Sequence, residues 1–205
     1  MTLIAEADRA RVARAITEAE RATAGEIVAV VAGESDNHLW LPFLVAGAVA
    51  MLVPWPLIFL TWMPVQWIYL AQIVVFAALV ALFSWRPLRF AVLPAAVKNQ
   101  AAHRRAVEQF LVQNMHTTEG RTGVLIFVSV AERYAEIIAD TAIHEKVATG
   151  TWQAIVDRLT ADIAAGRAAD GFIGAIDSVG ALLAEHFPPG TADRTALPDR
   201  LIVLE

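Results

Sequence analysis

The fold class depends first on residues 37–85, which read NHLWLPFLVAGAVAMLVPWPLIFLTWMPVQWIYLAQIVVFAALVALFSW. This stretch contains no Asp, Glu, Lys or Arg, although 18% of the whole chain is charged. A helix needs about 20 apolar residues to cross the hydrocarbon core of a bilayer. The stretch is therefore long enough for two crossings, and we predict a transmembrane hairpin with spans at about 40–59 and 66–85.

Prolines and tryptophans mark the ends of the predicted spans. Because each proline removes a helical donor, Pro54, Pro56 and Pro64 place the turn between about Pro54 and Val65. Indole rings favour the boundary between headgroups and hydrocarbon. Five of the six tryptophans lie within this stretch: Trp40, Trp55, Trp62, Trp67 and Trp85.

A pair of buried core helices in a soluble protein is the alternative to a membrane hairpin. Such helices normally keep a polar stripe, whereas Gln66 and Gln72 are almost the only strongly polar side chains from Leu41 onward. The spans also contain no ionisable residue of the kind that marks a substrate path or proton relay. We therefore expect the hairpin to anchor the chain in a lipid bilayer, with helix packing through 46–48.

Basic residues after the second span predict its orientation. Basic side chains near a membrane favour the cytoplasmic side, so we expect both termini in the cytoplasm and the chain in the bacterial inner membrane. Residues 1–8 lack the basic and apolar regions of a secretory signal. The basic stretch either contacts lipid headgroups or forms a solvated helix face. Its members are Arg86, Arg89, Lys98, Arg104 and Arg105.

Helical and strand patterns alternate outside the hairpin, which predicts an α/β fold. Continuous apolar runs predict buried strands at Glu26–Ala32 and 123–130, with a third strand at Tyr134–Ala139 in a hairpin with the second. Helical spacing predicts helices over about 5–22 and 95–114, one that starts at Thr151 and ends at Gly166, and one that contains Ile173 and Leu183.

The strands must belong to one domain in two pieces. The first piece, residues 1–36, is too short to support a core alone, and its apolar strand needs the strands of residues 86–190. We therefore expect a small sheet covered by helices and interrupted by the two-helix hairpin. The two pieces share one side of the membrane, which requires an even number of spans. Residues 191–205 are assigned to a loose tail, although Leu201–Leu204 is apolar enough to dock.

The composition excludes two classes of function. A net charge of -5 and a pI near 5.5 exclude nucleic acid as a partner, because phosphate binding needs a basic field. With no cysteine, the chain has no disulfide, thiol nucleophile or cysteine metal ligand.

Four segments carry a resemblance to a known family: residues 19–31, 116–140, 152–156 and 171–189. They resemble the TPM domain family, which includes thylakoid-lumen and photosystem II repair proteins and many bacterial membrane proteins. The resemblance implies a sheet sandwiched by helices. Some members are described as acid phosphatases that bind a divalent metal through aspartates in loops beside the strands. This chain departs from that pattern, because Ala131-Glu132 stands where those members carry paired aspartates, and the loop with Ser35 and Asp36 leads into the hairpin.

Three acids around the second strand hairpin are the candidate metal ligands: Glu132, Glu136 and Asp140. Hard cations such as calcium and magnesium need several converging oxygen ligands. The alternative is that Glu132 belongs to an exposed turn and Asp140 caps the next segment. Five histidines are scattered singly and are read as surface or interfacial residues: His38, His103, His116, His144 and His186. Ser129 lacks the flanking glycines of a nucleophile elbow.

The sequence thus favours a membrane-anchored, non-enzymatic interaction domain that supports assembly or maintenance of other membrane proteins. The alternatives are a metal-dependent phosphatase of the TPM type and an accessory subunit of a membrane transport complex. The sequence predicts no catalytic residue and no bound cofactor other than the candidate calcium or magnesium, and it leaves the membrane-protein partner and the oligomeric state open.

Overall fold

The computed structural model describes residues 4–36, 40–85, 88, 90, 93–118, 120–148, 150–189 and 201–204. The chain divides into two compact units. One contains residues 1–35 and 99–205, and the other contains residues 36–98. The sequence assignments of His38, Arg86, Arg89 and residues 191–200 lie outside the described residues.

A mixed four-stranded sheet organises the first unit. Its strands are β1 (Glu26–Ala32), β2 (Gly123–Ser129), β3 (Tyr134–Ala139) and β4 (Leu201–Leu204), in the order β3-β2-β1-β4. β1 pairs in parallel with both β2 and β4, while β3 runs antiparallel to β2 in the predicted hairpin. The predicted α/β class and small helix-covered sheet are therefore confirmed.

Helices cover both faces of the sheet, as the buried strands require. The helices of this unit are α1 (Glu6–Arg21), α5 (Ala95–Val112), α6 (Thr141–His144), α7 (Thr151–Ala164) and α8 (Ala168–His186). Alternate residues of β1 and β2 face α1, α7 and α8, and the intervening residues face α5. Because β1 and β2 are buried on both faces, their sequences are apolar without alternation. Gly180 lets α8 approach α1, since a Cβ there would lie 2.7 Å from the Cβ of Ala19.

The second unit contains the apolar helices α2 (Trp40–Leu52), α3 (Pro54–Leu60) and α4 (Val65–Ser84). Ala46 and Ala50 are buried, as is Ile68 on α4, so α2 presents small side chains one helical turn apart at its packed face. The loop at residues 61–64 lies within the predicted turn region between about Pro54 and Val65, but Pro54 itself is not part of this loop. Pro54 instead opens α3, where its missing N–H has no helical acceptor to lose.

The C-terminal strand differs from the sequence assignment. Residues 191–205 are predicted to be a loose tail, with docking of Leu201–Leu204 as the alternative, and Leu201–Leu204 does dock, as strand β4 paired with Ala29–Ala32 of β1. Gly33 extends this pairing, since its N–H donates to the Leu204 carbonyl at 2.9 Å. β4 completes the sheet on the side of β1 opposite β2, which explains why β1 is fully buried.

Candidate functional site

The carboxyl ends of the parallel strands β1 and β2 meet at one edge of the sheet. The loop after β1 contains Gly33 and Ser35, and the turn after β2 contains Ala131 and Glu132. The Ala131 N–H donates to the Gly33 carbonyl at 3.1 Å and so extends the strand pairing into the loops. Ligands of open α/β sheets bind outside the carboxyl ends of the strands, so this edge is the first place to look for a site.

Ser35, which is half-buried, joins these two loops through the buried side chains of Ser129 and Glu132, and we call these three residues the Ser–Glu cluster. Glu132 is only 4% exposed. One of its carboxylate oxygens accepts from the Ser35 N–H at 3.0 Å, and the other accepts from the Ser129 hydroxyl. The Ser35 hydroxyl donates to the Ser129 hydroxyl at 2.8 Å. The three residues form a closed ring of hydrogen bonds that fixes the loop after β1 against the turn after β2.

Glu136 belongs to a different group on the face of the sheet that carries α5. Its carboxylate lies 2.9 Å and 3.0 Å from Nδ1 of His103 on α5, and it accepts from the Tyr134 hydroxyl at 3.0 Å. Burial, followed by the charge of Glu136 and this hydrogen bond, raises the pKa of Tyr134 to about 12. The group holds α5 to β3 and presents the second imidazole nitrogen of a half-exposed histidine.

Asp140 begins the short helix α6. Its Oδ1 accepts from the Thr141 N–H at 2.6 Å and from the Thr141 hydroxyl at 3.1 Å. Its Oδ2 is buried and lies 3.8 Å from Nε of Arg121, without a hydrogen bond among the described residues. The capping alternative raised for Asp140 therefore describes its main contact.

The three candidate metal ligands thus lie in three separate settings. Glu132 accepts from two donors of its own chain, Glu136 contacts His103 and Tyr134, and Asp140 caps α6. Within the described ranges, no three histidine or acidic side chains come together in a group that could hold a metal ion. The donor set of the described residues does not fit calcium, which takes six to eight oxygen ligands. Metal binding by Glu132, Glu136 or Asp140 stays a prediction.

The sequence did not indicate the roles of Ser35 and Ser129. Ser129 is the last residue of β2 rather than a mid-strand residue, and its partner Ser35 lies 94 residues earlier in the chain. A polar residue at the carboxyl end of a continuous apolar strand, such as Ser129, is the signal that points to a site at the sheet edge. His103 is exposed, in agreement with its reading as a surface or interfacial residue, but no local pattern indicates its contact with Glu136, 33 residues further along the chain.

The apolar helices of the second unit are a separate feature of the chain. Two helical segments, Pro42–Leu60 and Val65–Ser84, are long and apolar enough to cross a membrane. Only 11% of the first and 6% of the second is buried, whereas a core helix of a soluble protein is mostly buried. Large apolar side chains such as Phe59, Trp62 and Trp67 are instead more than half exposed.

Comparison with known proteins supports the fold. A model of the TPM domain family matches residues 88–182 of this chain. The NMR structure of the BA42 protein from the psychrophilic bacterium Bizionia argentinensis has the same fold. It matches with a TM-score of 0.60 and 18% sequence identity, over 98% of this chain and 94% of that chain. No curated protein matches the chain.

Proposed function

We propose that the chain is a membrane-anchored interaction domain that helps to assemble or maintain other membrane proteins. In this proposal the helices α2 to α4 form a hairpin in the bacterial inner membrane, and the TPM domain lies in the cytoplasm. The observation that carries the proposal is the exposure of two long apolar helices, which are inserted between strands of a single sheet. Both pieces of the domain then lie on one side of the bilayer, because the hairpin returns the chain to that side.

The Ser–Glu cluster supports an interaction role over catalysis. A metal-activated hydrolase needs carboxylates that are free to bind the ion, yet both oxygens of Glu132 accept hydrogen bonds from Ser35 and Ser129. The cluster therefore holds the loop after β1, which precedes the apolar helices in the chain, against the turn after β2. A metal-dependent phosphatase is the second candidate, favoured by the buried carboxylate that lies beside two hydroxyl groups at the carboxyl edge of the sheet.

A topology experiment tests the membrane part of the proposal. We expect a reporter enzyme that is active only outside the cytoplasm to stay silent when fused after Glu205. The same reporter inserted near Met63, in the turn between the apolar helices, should be active. The reverse pattern would show that the domain lies outside the cytoplasm.

A hairpin exchange tests the interaction part. The spans are replaced by an unrelated two-span hairpin of equal length, and proteins crosslinked to the chain in intact membranes are compared with those of wild type. If the TPM domain makes the contacts, the same partners are crosslinked after the exchange. Loss of all partners would favour the accessory-subunit alternative, in which the spans themselves pack against a transport complex.

A further inference from the structure

One edge of the sheet carries backbone groups that have no partner among the residues described by the structure. β3 is the edge strand on the side opposite β4, and all six of its residues are partly exposed. The Asp140 N–H donates to the Gly123 carbonyl at 2.9 Å, which identifies that pair as hydrogen-bonded. Hydrogen-bonded and non-bonded pairs alternate in an antiparallel ladder. The backbone groups of Ala135, Ile137 and Ala139 therefore point away from β2, and within the described residues nothing bonds to them.

A cleft of about 450 Å³ lies beside the start of this edge. Val128, Ala135 and Ile163 form part of its apolar lining, between the strand hairpin and the C-terminal end of α7. Its volume lies within the range of about 300–1,000 Å³ that is usual for ligand pockets. The cleft therefore has room for apolar side chains of a segment that lies along β3.

Arg133 places a positive charge at one end of this edge and so favours one orientation of a bound strand. It lines the cleft, is exposed and directly precedes β3. No acidic side chain among the described residues forms an ion pair with it. A strand added antiparallel to β3 ends beside Tyr134, so its last residue lies next to Arg133. A terminal carboxylate is the group that fits a guanidinium at this position.

We propose that β3 binds the carboxyl terminus of a partner protein as a fifth, antiparallel strand. The outward backbone groups of β3 bond to the peptide backbone, the cleft takes an apolar side chain from its last residues, and Arg133 pairs with its carboxylate. Only an extended backbone satisfies alternate N–H and C=O groups along a strand edge. The proposal rests on the proposed function, for which it names a docking edge and the chemistry of the partner.

Hydrogen exchange at single residues tests the proposal on the full chain in detergent micelles. The probe is an equimolar mixture of acetylated hexapeptides that end in valine, leucine, isoleucine or phenylalanine with a free carboxylate. The same mixture with amidated ends is the matched control. We expect the amides of Ala135, Ile137 and Ala139 to exchange more slowly with the probe. The amides of Glu136 and Ile138, already bonded to β2, should change little.

Two variants test the contacts separately. Wild type should bind peptides with a free carboxylate about tenfold more tightly than amidated peptides. In Arg133→Gln this ratio of affinities should fall to less than about twofold. Ala139→Pro removes one outward N–H, which an edge strand tolerates, and should abolish binding while Glu136 keeps its protection.

Three outcomes would overturn the proposal. These are the absence of added protection, equal protection by amidated peptides, and protection that rises with protein concentration without peptide, which would assign the edge to a second copy of this chain. If the crosslinked partners of the hairpin-exchanged chain persist while β3 shows no protection, the interaction function stands and only this docking edge is rejected.

Discussion

Replacement of Glu132 by alanine should destabilise the domain through the two hydrogen-bond donors that it leaves behind. The carboxylate is 4% exposed and accepts from the Ser35 N–H and the Ser129 hydroxyl. A buried donor without a partner costs about 1–3 kcal/mol. Ser35 is half-buried and partly accessible to water, so we expect a total loss of roughly 2–4 kcal/mol in the free energy of unfolding.

Urea unfolding followed by circular dichroism measures this loss. With a slope of about 2 kcal/mol per molar urea, a loss of about 3 kcal/mol lowers the midpoint by roughly 1.5 M. Glu132→Gln keeps the shape of the side chain and one acceptor oxygen, so the free energy of unfolding should fall by only about 1 kcal/mol. Glu145→Ala, which removes an exposed acid from the end of α6, is the matched control and should change stability by less than about 0.5 kcal/mol. An unchanged midpoint for Glu132→Ala would refute the structural role of the Ser–Glu cluster.

Three further predictions concern the hairpin, the chemistry and one titrating group. Replacement of residues 39–85 by a short flexible linker should leave a soluble, cooperatively folding domain, because loop closure costs little beside a completed sheet; an aggregated product in gel filtration would show that the hairpin belongs to the core. With a generic phosphate ester and magnesium, calcium or manganese, this domain should show no turnover above a heat-inactivated control. Metal-dependent turnover that Glu132→Ala and Asp140→Ala both abolish without unfolding would establish the phosphatase instead. The Tyr134 phenol should ionise near pH 12 in ultraviolet titrations of a Tyr69→Phe background, rather than near its ordinary 10.0. Because its pKa is raised on folding, its contribution to stability is complete below about pH 10 and is lost as pH rises through 12; ionisation near 10 would contradict the contact with Glu136.

The sequence predicted the elements whose patterns are local. The bounds of β1 and β3 agree with the predicted 26–32 and 134–139, because glycines flank the apolar run of β1 and the turn at 131–133 fixes the start of β3. β4 is not predicted as a strand, because four apolar residues are too few to show a periodicity. Its partner β1 also lies about 170 positions earlier in the chain.

The site was harder to predict than the fold because its contacts are long-range. The capping role of Asp140 was anticipated as an alternative, since a cap involves adjacent residues. The contacts of Ser35 with Ser129 and of His103 with Glu136 depend on parallel pairing and on the face of α5, which no local pattern specifies. The candidate metal ligands are close in the sequence, but in the structure each of them contacts different residues.

The position of β1 at the centre of the sheet has a consequence for biosynthesis. Both of its neighbours, β2 and β4, are translated after it, and the apolar helices are translated in between. At 5–20 residues per second, roughly 10–30 s separate the appearance of β1 from that of β4 on the ribosome. In a membrane-anchored chain the hairpin is thus inserted while β1 is still an unpaired apolar segment of the nascent polypeptide. During this interval the apolar side chains of β1 lack the neighbouring strands that bury them in the folded domain.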